Sequence, residues 1–190
     1  MYNKEYMVTV GKITVPKYAT NVLDNIEWGP EIPKSYRFFV NPIVPTQHGN
    51  KEMTRFIEGT LKKELAKSYS NYEHSFQMDS VVANDYDLKL VRGMPYDVFK
   101  LEDGAEIKKM RGIGDFDEFA RLQVLVELND PKEYTGGKVR FHGLDKGVSY
   151  KSGKGVYLIH PMFNYMSIDP VTEGTKYFLR YFICGSTVYS

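Results

Sequence analysis

From about residue 76 onward the chain is written as short β-branched and aromatic runs separated by clusters of Gly, Asp and Pro. "YDVFKL", "RLQVLVEL", "KVRFHG", "GVYLIH" and "KYFLRYFICG" are short and suit a pleated surface, so they read as strands joined by turns. A chain of many short strands buries its apolar faces by packing or closing sheets, and a closed jelly roll is the expected solution. One segment has a different period. In "KEMTRFIEGTLKKELAKSY", Met53, Phe56, Ile57, Leu61 and Leu65 recur at helical spacing, with lysines and glutamates on the other face. That predicts one amphipathic helix at about residues 51 to 69, laid against a sheet. "YMVTVGKITV" alternates like a strand and breaks at Pro16. Residues 28 to 50 contain Pro30, Pro33, Pro42 and Pro45 and read as an extended, irregular connection.

Composition narrows the class further. With 190 residues, 42% of them hydrophobic, the chain can bury the core of a single domain. A net charge of +1 gives no sign of electrostatic binding to nucleic acid or to an anionic membrane. The one cysteine, Cys184, allows no intrachain disulfide and points to a reducing compartment. It sits in a strand pattern and reads as inert core. No apolar run is long enough to span a bilayer, and "MYNKEYMVTVGKITV" turns polar too quickly for a signal peptide. The expected location is the cytoplasm or an assembled particle such as a virion, without secretion by a signal peptide. Fifteen tyrosines and eleven phenylalanines are many for this length, so some lie at the surface, where tyrosine favours interfaces.

Four pieces of the second half carry a resemblance. In "LQVLVELNDPKEYTGGKVRF", a strand ends in Leu128, Asn129 and Asp130, and Tyr134, Gly136 and Gly137 start the next. "YDVFKLEDGAEIKKM" and "SGKGVYLIHP" resemble strands that lead into metal-ligating histidines. Pro170, Val171, Thr172, Gly174, Lys176 and Tyr177 form the closing piece. Together, over roughly residues 96 to 184, they resemble the iron(II)/2-oxoglutarate dioxygenases of the prolyl-hydroxylase type. The "NDPKEYTGG" phrasing is especially similar to members encoded by tailed phages. The resemblance implies an α+β protein with a double-stranded β-helix (jelly roll, cupin-like) core and one or two supporting N-terminal helices. Residues 1–190 are then one domain. Residues 1–75 hold the strand, the proline-rich segment and the supporting helix, and residues 76–190 hold the core.

Members of this family bind iron(II) with two histidines and a carboxylate, leaving positions for 2-oxoglutarate and O₂. Carried over, the first histidine falls on Met110, six residues past Gly104; the carboxylate falls on Gly112; the second histidine falls on Met166, four before Pro170. Leu101 and Ile107 stand at positions that are commonly aromatic in active members. The resemblance therefore implies a degenerate site, with no catalytic residue and no metal expected. A small residue at the carboxylate position is also found in halogenases, but those keep both histidines. Asp115 and Asp117 are the fallback ligands, at the cost of sliding the match away from Gly104. "RGIGDFDEFA" otherwise reads as a solvated turn. His142 and His160 fall on positions the family does not use for metal and read as hydrogen-bonded structural residues. His48 and His74 have no partner signature.

Two thioethers at Met110 and Met166 suit Cu(I) as soft ligands. The plainer reading is that flexible apolar side chains fill an emptied metal pocket. Lys176 stands where the resemblance places the cation that pairs with the 2-oxoglutarate carboxylate. It is read as vestigial, a lysine that snorkels to the mouth of the barrel and pairs with any acid there. No cofactor is expected, the alternative being Fe(II) with 2-oxoglutarate. The function expected is that of a non-catalytic, dioxygenase-fold structural or interaction subunit, a phage virion component being the specific guess. Its partners would be protein subunits of a larger assembly, with no nucleic acid and no membrane. Residues 1 to 50 and the outer strands would supply the contacts. The alternatives are an active oxygenase with non-standard ligands and a small-molecule or sugar-binding jelly roll.

Overall fold

The computed structural model describes residues 2–3, 7–25, 39–40, 51–72, 76–77, 96–111, 120–143, 147–184 and 186–187. The first half contributes strands β1 (Tyr2–Asn3), β2 (Val8–Lys12), β3 (Phe39–Val40) and β4 (Phe76–Gln77). It also contributes helix α1 (Lys17–Asn21), which runs into a 3-10 turn, and a helical segment. That segment is α2 (Lys51–Phe56), a π-helical turn (Ile57–Leu61) and α3 (Lys62–Ala66). Then follow β5 (Tyr96–Leu101), β6 (Glu106–Arg111), β7 (Ala120–Glu127), β8 (Tyr134–Gly136) and β9 (Val139–His142). The chain continues with β10 (Val156–Pro161), β11 (Tyr165–Ile168), β12 (Val171–Gly174), β13 (Lys176–Cys184) and β14 (Ser186–Thr187).

These strands form antiparallel sheets. A six-stranded sheet runs β1-β2-β10-β7-β13-β5, and a four-stranded sheet runs β3-β6-β11-β9. The six-stranded sheet is buried on both faces. Leu122, Val124 and Val126 of β7 and Leu179, Tyr181 and Ile183 of β13 pack on Met53, Phe56, Ile57, Leu61 and Leu65 of the helical segment. On the opposite face, Leu125, Leu158, Phe99 and Phe178 pack against Ile107, Phe141, Met166 and Ile168 of the four-stranded sheet. Burial on both faces explains why "LQVLVEL" and "VYLI" read as continuous apolar runs rather than as alternation. The helix stripe matches the periodicity residue for residue. Its spacing of four advances about 40° per step on a regular α-helix, and the wider π turn takes up part of that drift.

Two features of the N-terminal region differ from expectation. The proline-rich segment is not wholly irregular: Phe39 and Val40 pair with Ile107 and Glu106 as the edge of the four-stranded sheet. The described residues 7–25 are built into the fold, while the proline-rich segment expected to reach a neighbouring subunit lies, apart from Phe39 and Val40, outside the described residues. β2 is clamped beside β10, Val8 is fully buried, and Ile13, Val15, Ala19 and Leu23 enter the helix-side core. Tyr72 locks the helix end to this strand: its hydroxyl donates to the carbonyl of Ile159 at 3.1 Å and lies 2.9 Å from the Thr9 hydroxyl. Gly11 faces Tyr157 across the β2–β10 ladder, and a Cβ there would overlap the tyrosine ring. The ring lies over the glycine and reaches Glu64 of α3 through its hydroxyl at 3.3 Å.

At Asp103 and Gly104 both φ angles are positive, 52° and 80°. Such a turn ordinarily closes a hairpin. Here β5 and β6 do not pair with each other; the turn carries the chain from one sheet to the other.

Candidate functional site

The pieces that carry the resemblance meet at one corner between the two sheets. Asp130 caps the turn after β7: its carboxylate accepts from the Lys132 amide at 2.9 Å, and Pro131 takes the first helical position. Asn129 ties the turn to β13, accepting from the Tyr177 amide and donating to the Thr175 carbonyl, both at 2.9 Å. Gly136, at φ 88°, sits so close to the Pro170 carbonyl that a Cβ would overlap it. β8 pairs with β12 at this corner.

The interior face of this corner holds a buried ion pair. Lys176, the first residue of β13, is 1% exposed, and its ammonium donates to Glu127 Oε1 at 2.9 Å and to the Gly137 carbonyl at 2.6 Å. Glu127 closes β7. Its Oε2 accepts from the Ser152 hydroxyl at 2.6 Å and from the Gly153 amide at 2.7 Å. Tyr150 donates its hydroxyl toward Oε1 at a long 3.5 Å, and Tyr134 lies under the lysine with its ring centroid 5.3 Å from Nζ. Burial pushes the Lys176 pKa down, opposed by the neighbouring carboxylate. Burial, and then the charge of Glu127, raises the Tyr134 phenol to about 12 and the Tyr150 phenol further, so both hold their protons. The expectation that Lys176 snorkels to an open mouth is corrected here. The lysine is enclosed by Glu127, Gly137 and Tyr134, and Glu127 in turn holds the segment 147–155 through Ser152 and Gly153.

Two of the positions carried over as metal ligands, Met110 and Met166, lie on the facing sheet. Met166 of β11 is fully buried and stands opposite Met110 of β6 in the ladder. The amide nitrogen of Gln123 lies 3.4 Å from the Met166 sulfur. Gly112, Asp115 and Asp117 lie outside the described residues, as do His48 and His74. Leu101 and Ile107 are fully buried in the inter-sheet core. Met166→Ala should destabilise the protein by about 2–5 kcal/mol in chemical denaturation, the cost of a large-to-small change at a fully buried site. A loss below about 1 kcal/mol would mean that Met166 fills no tightly packed space.

His142 ends β9 and bonds the Ser167 hydroxyl at 2.7 Å. His160 is fully buried beside Gln123, its partner in the β10–β7 ladder, and packs edge-on against Phe141 with centroids 4.9 Å apart. Its Nδ1 lies 2.9 Å from the Pro161 carbonyl. A carbonyl only accepts, so Nδ1 carries the proton and the neutral ring turns a bare lone pair inward at Nε2. That atom has no hydrogen-bond partner among the described residues, and burial drives the ring's pKa down to about 4. Arg180, further along β13, lies over the Phe99 ring at 4.9 Å, and Phe99 stacks on Phe178 at 4.8 Å.

Glu127, Gln123, Ser152 and Arg180 were not singled out from the sequence. For Glu127 and Arg180 a signal existed: each is a charge inside an otherwise apolar strand run, and a charge so buried needs a partner. Among the described residues, no three His, Cys, Asp or Glu side chains cluster as a metal site. Nor is any helix among them long and apolar enough to cross a membrane.

No protein-family model matches the chain, and no curated protein sequence matches it. Solved structures do. A prolyl-4-hydroxylase from Pseudomonas putida aligns over 93% of this chain and 91% of its own, with TM-score 0.57 and 10% identity. The viral collagen prolyl hydroxylase of Paramecium bursaria Chlorella virus-1, solved with 2-oxoglutarate, covers 94% and 96%, with TM-score 0.58 and 16% identity. A prolyl hydroxylase from Trichoplax adhaerens, solved with a hypoxia-inducible-factor peptide, covers 93% and 83%, with TM-score 0.58 and 10% identity. The chain has the fold of the prolyl-hydroxylase-like 2-oxoglutarate oxygenases.

Proposed function

We propose that this is a non-catalytic protein on a double-stranded β-helix scaffold that serves as a structural or interaction subunit of a larger assembly. The observation that carries the non-catalytic part is the Lys176–Glu127 pair, buried at 1% and 5% side-chain exposure. In an oxygenase of this fold, a cation at this place pairs with the carboxylate of 2-oxoglutarate. Here it is already neutralised from within the chain. The ligand positions speak in the same direction: Met110, Gly112 and Met166 offer neither imidazole nor carboxylate, and thioethers are poor donors for iron(II). The residues present therefore do not fit iron(II) with 2-oxoglutarate.

The assembly part rests on surface chemistry. Phe163, in the turn between β10 and β11, is 54% exposed, and Tyr165, the first residue of β11, is 42% exposed. Exposed aromatics of this kind are enriched in protein interfaces. A virus particle is the specific setting we favour, on the phage-like phrasing of residues 129–137. With β2 built into the sheet, we assign the contacts to this turn, the outer strands and the proline-rich segment 28–50 rather than to β2.

Two measurements test the proposal. Purified protein, offered Fe(II), 2-oxoglutarate and O₂, should hold no stoichiometric iron and form no succinate. One equivalent of tightly bound iron with succinate formed would overturn it and bring Asp115 and Asp117 back as ligands. Light scattering, on purified protein and in native lysate, should find the chain in a larger particle. A strictly monomeric protein, free of any complex, would remove the subunit role.

A further inference from the structure

The geometry points to a carboxylate-binding cradle in the inter-sheet core whose occupant is the chain's own Glu127, and we propose that this side chain closes the cradle to carboxylates from solution. The inference rests on the non-catalytic reading and deepens it by saying why the position takes no outside ligand. Three groups from two separate parts of the chain converge on one carboxylate. They are the ammonium of Lys176 on Oε1, and the hydroxyl of Ser152 and the amide of Gly153 on Oε2. An ammonium, a hydroxyl and a backbone N–H aimed at a single point is how proteins receive anions from outside. The donors have little else to do. Apart from Glu127, Lys176 reaches the Gly137 carbonyl and Ser152 lies 3.2 Å from the Tyr134 hydroxyl.

The rest of the cradle is shaped around the lysine. Gly137 has φ 64°, and a Cβ built there would come within 2.8 Å of Lys176 Cδ and 3.0 Å of Val171 Cγ2. The lysine stem thus lies against a backbone position that has room only for glycine, while Tyr134 covers the ammonium end. Lys176 is held where it is by the scaffold, and Glu127 reaches it from the neighbouring elements.

Truncation of Glu127 to alanine removes one methylene and one carboxylate, the size and charge of acetate. The Glu127→Ala protein, as the full chain, should therefore be stabilised by acetate. At about a hundred-fold excess over Kd, its Tm should rise by about 5–10 °C. Acetamide, and sodium chloride at equal ionic strength, should not reproduce the rise. Wild type should not respond to acetate beyond the chloride control. Lys176→Met added to Glu127→Ala should abolish the rescue. If Glu127→Ala does not fold unaided, its refolding yield with acetate, against acetamide, replaces Tm as the readout. Glu127→Gln, which fills the space with a neutral amide, should remain unresponsive. A wild-type response equal to that of Glu127→Ala, or no acetate-specific gain in either Tm or refolding yield, would overturn the cradle. That failure would leave the non-catalytic reading standing, because succinate formation by wild type is a separate measurement.

Discussion

Lys176→Met is expected to cost about 3–5 kcal/mol of folding free energy, with much of that returned in the double variant Lys176→Met/Glu127→Gln. The single change removes the cation and leaves the Glu127 carboxylate in a low-dielectric interior. There it has only the Ser152 hydroxyl, the Gly153 amide and a distant Tyr150 hydroxyl for company. An uncompensated buried charge is far more costly than the net worth of a surface pair. The double variant removes both charges at once. Its glutamine carbonyl still accepts from Ser152 and Gly153, so the segment 147–155 keeps its anchor. Urea denaturation of wild type, the two single variants and the double variant gives the coupling energy directly, provided the slope stays constant. Additive single-variant losses, or a cost for Lys176→Met below about 1 kcal/mol, would show that the pair holds little together.

Acidification is expected to remove about 3 kcal/mol through His160 alone, since its pKa falls from 6.5 to about 4 on folding. The dominant cause is burial, which disfavours the imidazolium; the Nδ1 bond to the Pro161 carbonyl opposes it only in part. The sign follows from proton counting. Between pH 6.5 and 4 the unfolded chain binds a proton that the folded chain refuses. Stability is therefore intact above 6.5, declines as pH falls through this window, and levels off below about 4. Carboxylates elsewhere add their own slopes, so the diagnostic quantity is a difference. Unfolding free energies of wild type and His160→Phe, measured from pH 7 to 4, should diverge in slope within the window, with the variant flatter. Parallel curves would mean that His160 is protonated in the fold or accessible to water.

Much of the local structure could be read from the residues. The "YDVFKL" run is β5 to the residue, and the five apolar positions from Met53 to Leu65 are the buried stripe of the helical segment. The Asn129–Asp130–Pro131 turn carries its own capping groups. In each case the deciding interactions lie within a few residues, so the pattern in the chain is nearly the whole of the physics. That Met166 offers a thioether and no imidazole could be read the same way, because ligand chemistry belongs to the side chain itself. Pairing could not. β2, from the first dozen residues, lies beside β10, and nothing in its alternation names that neighbour. Asp103–Gly104 has the local signature of a hairpin, yet the competition between two sheets for β5 and β6 turned it into a crossing. The interior charges show the division most clearly. Glu127 within "LVEL" and Lys176 at the head of "KYFLRYF" each announced a need for a partner. Only the placement of β13 beside β7, with Ser152 and Gly153 holding the Glu127 carboxylate, made each the answer to the other. Propensity and periodicity are properties of neighbours in the chain and so are written in it. Desolvation, which makes this pair costly to break and leaves His160 neutral, exists only once the layers have closed.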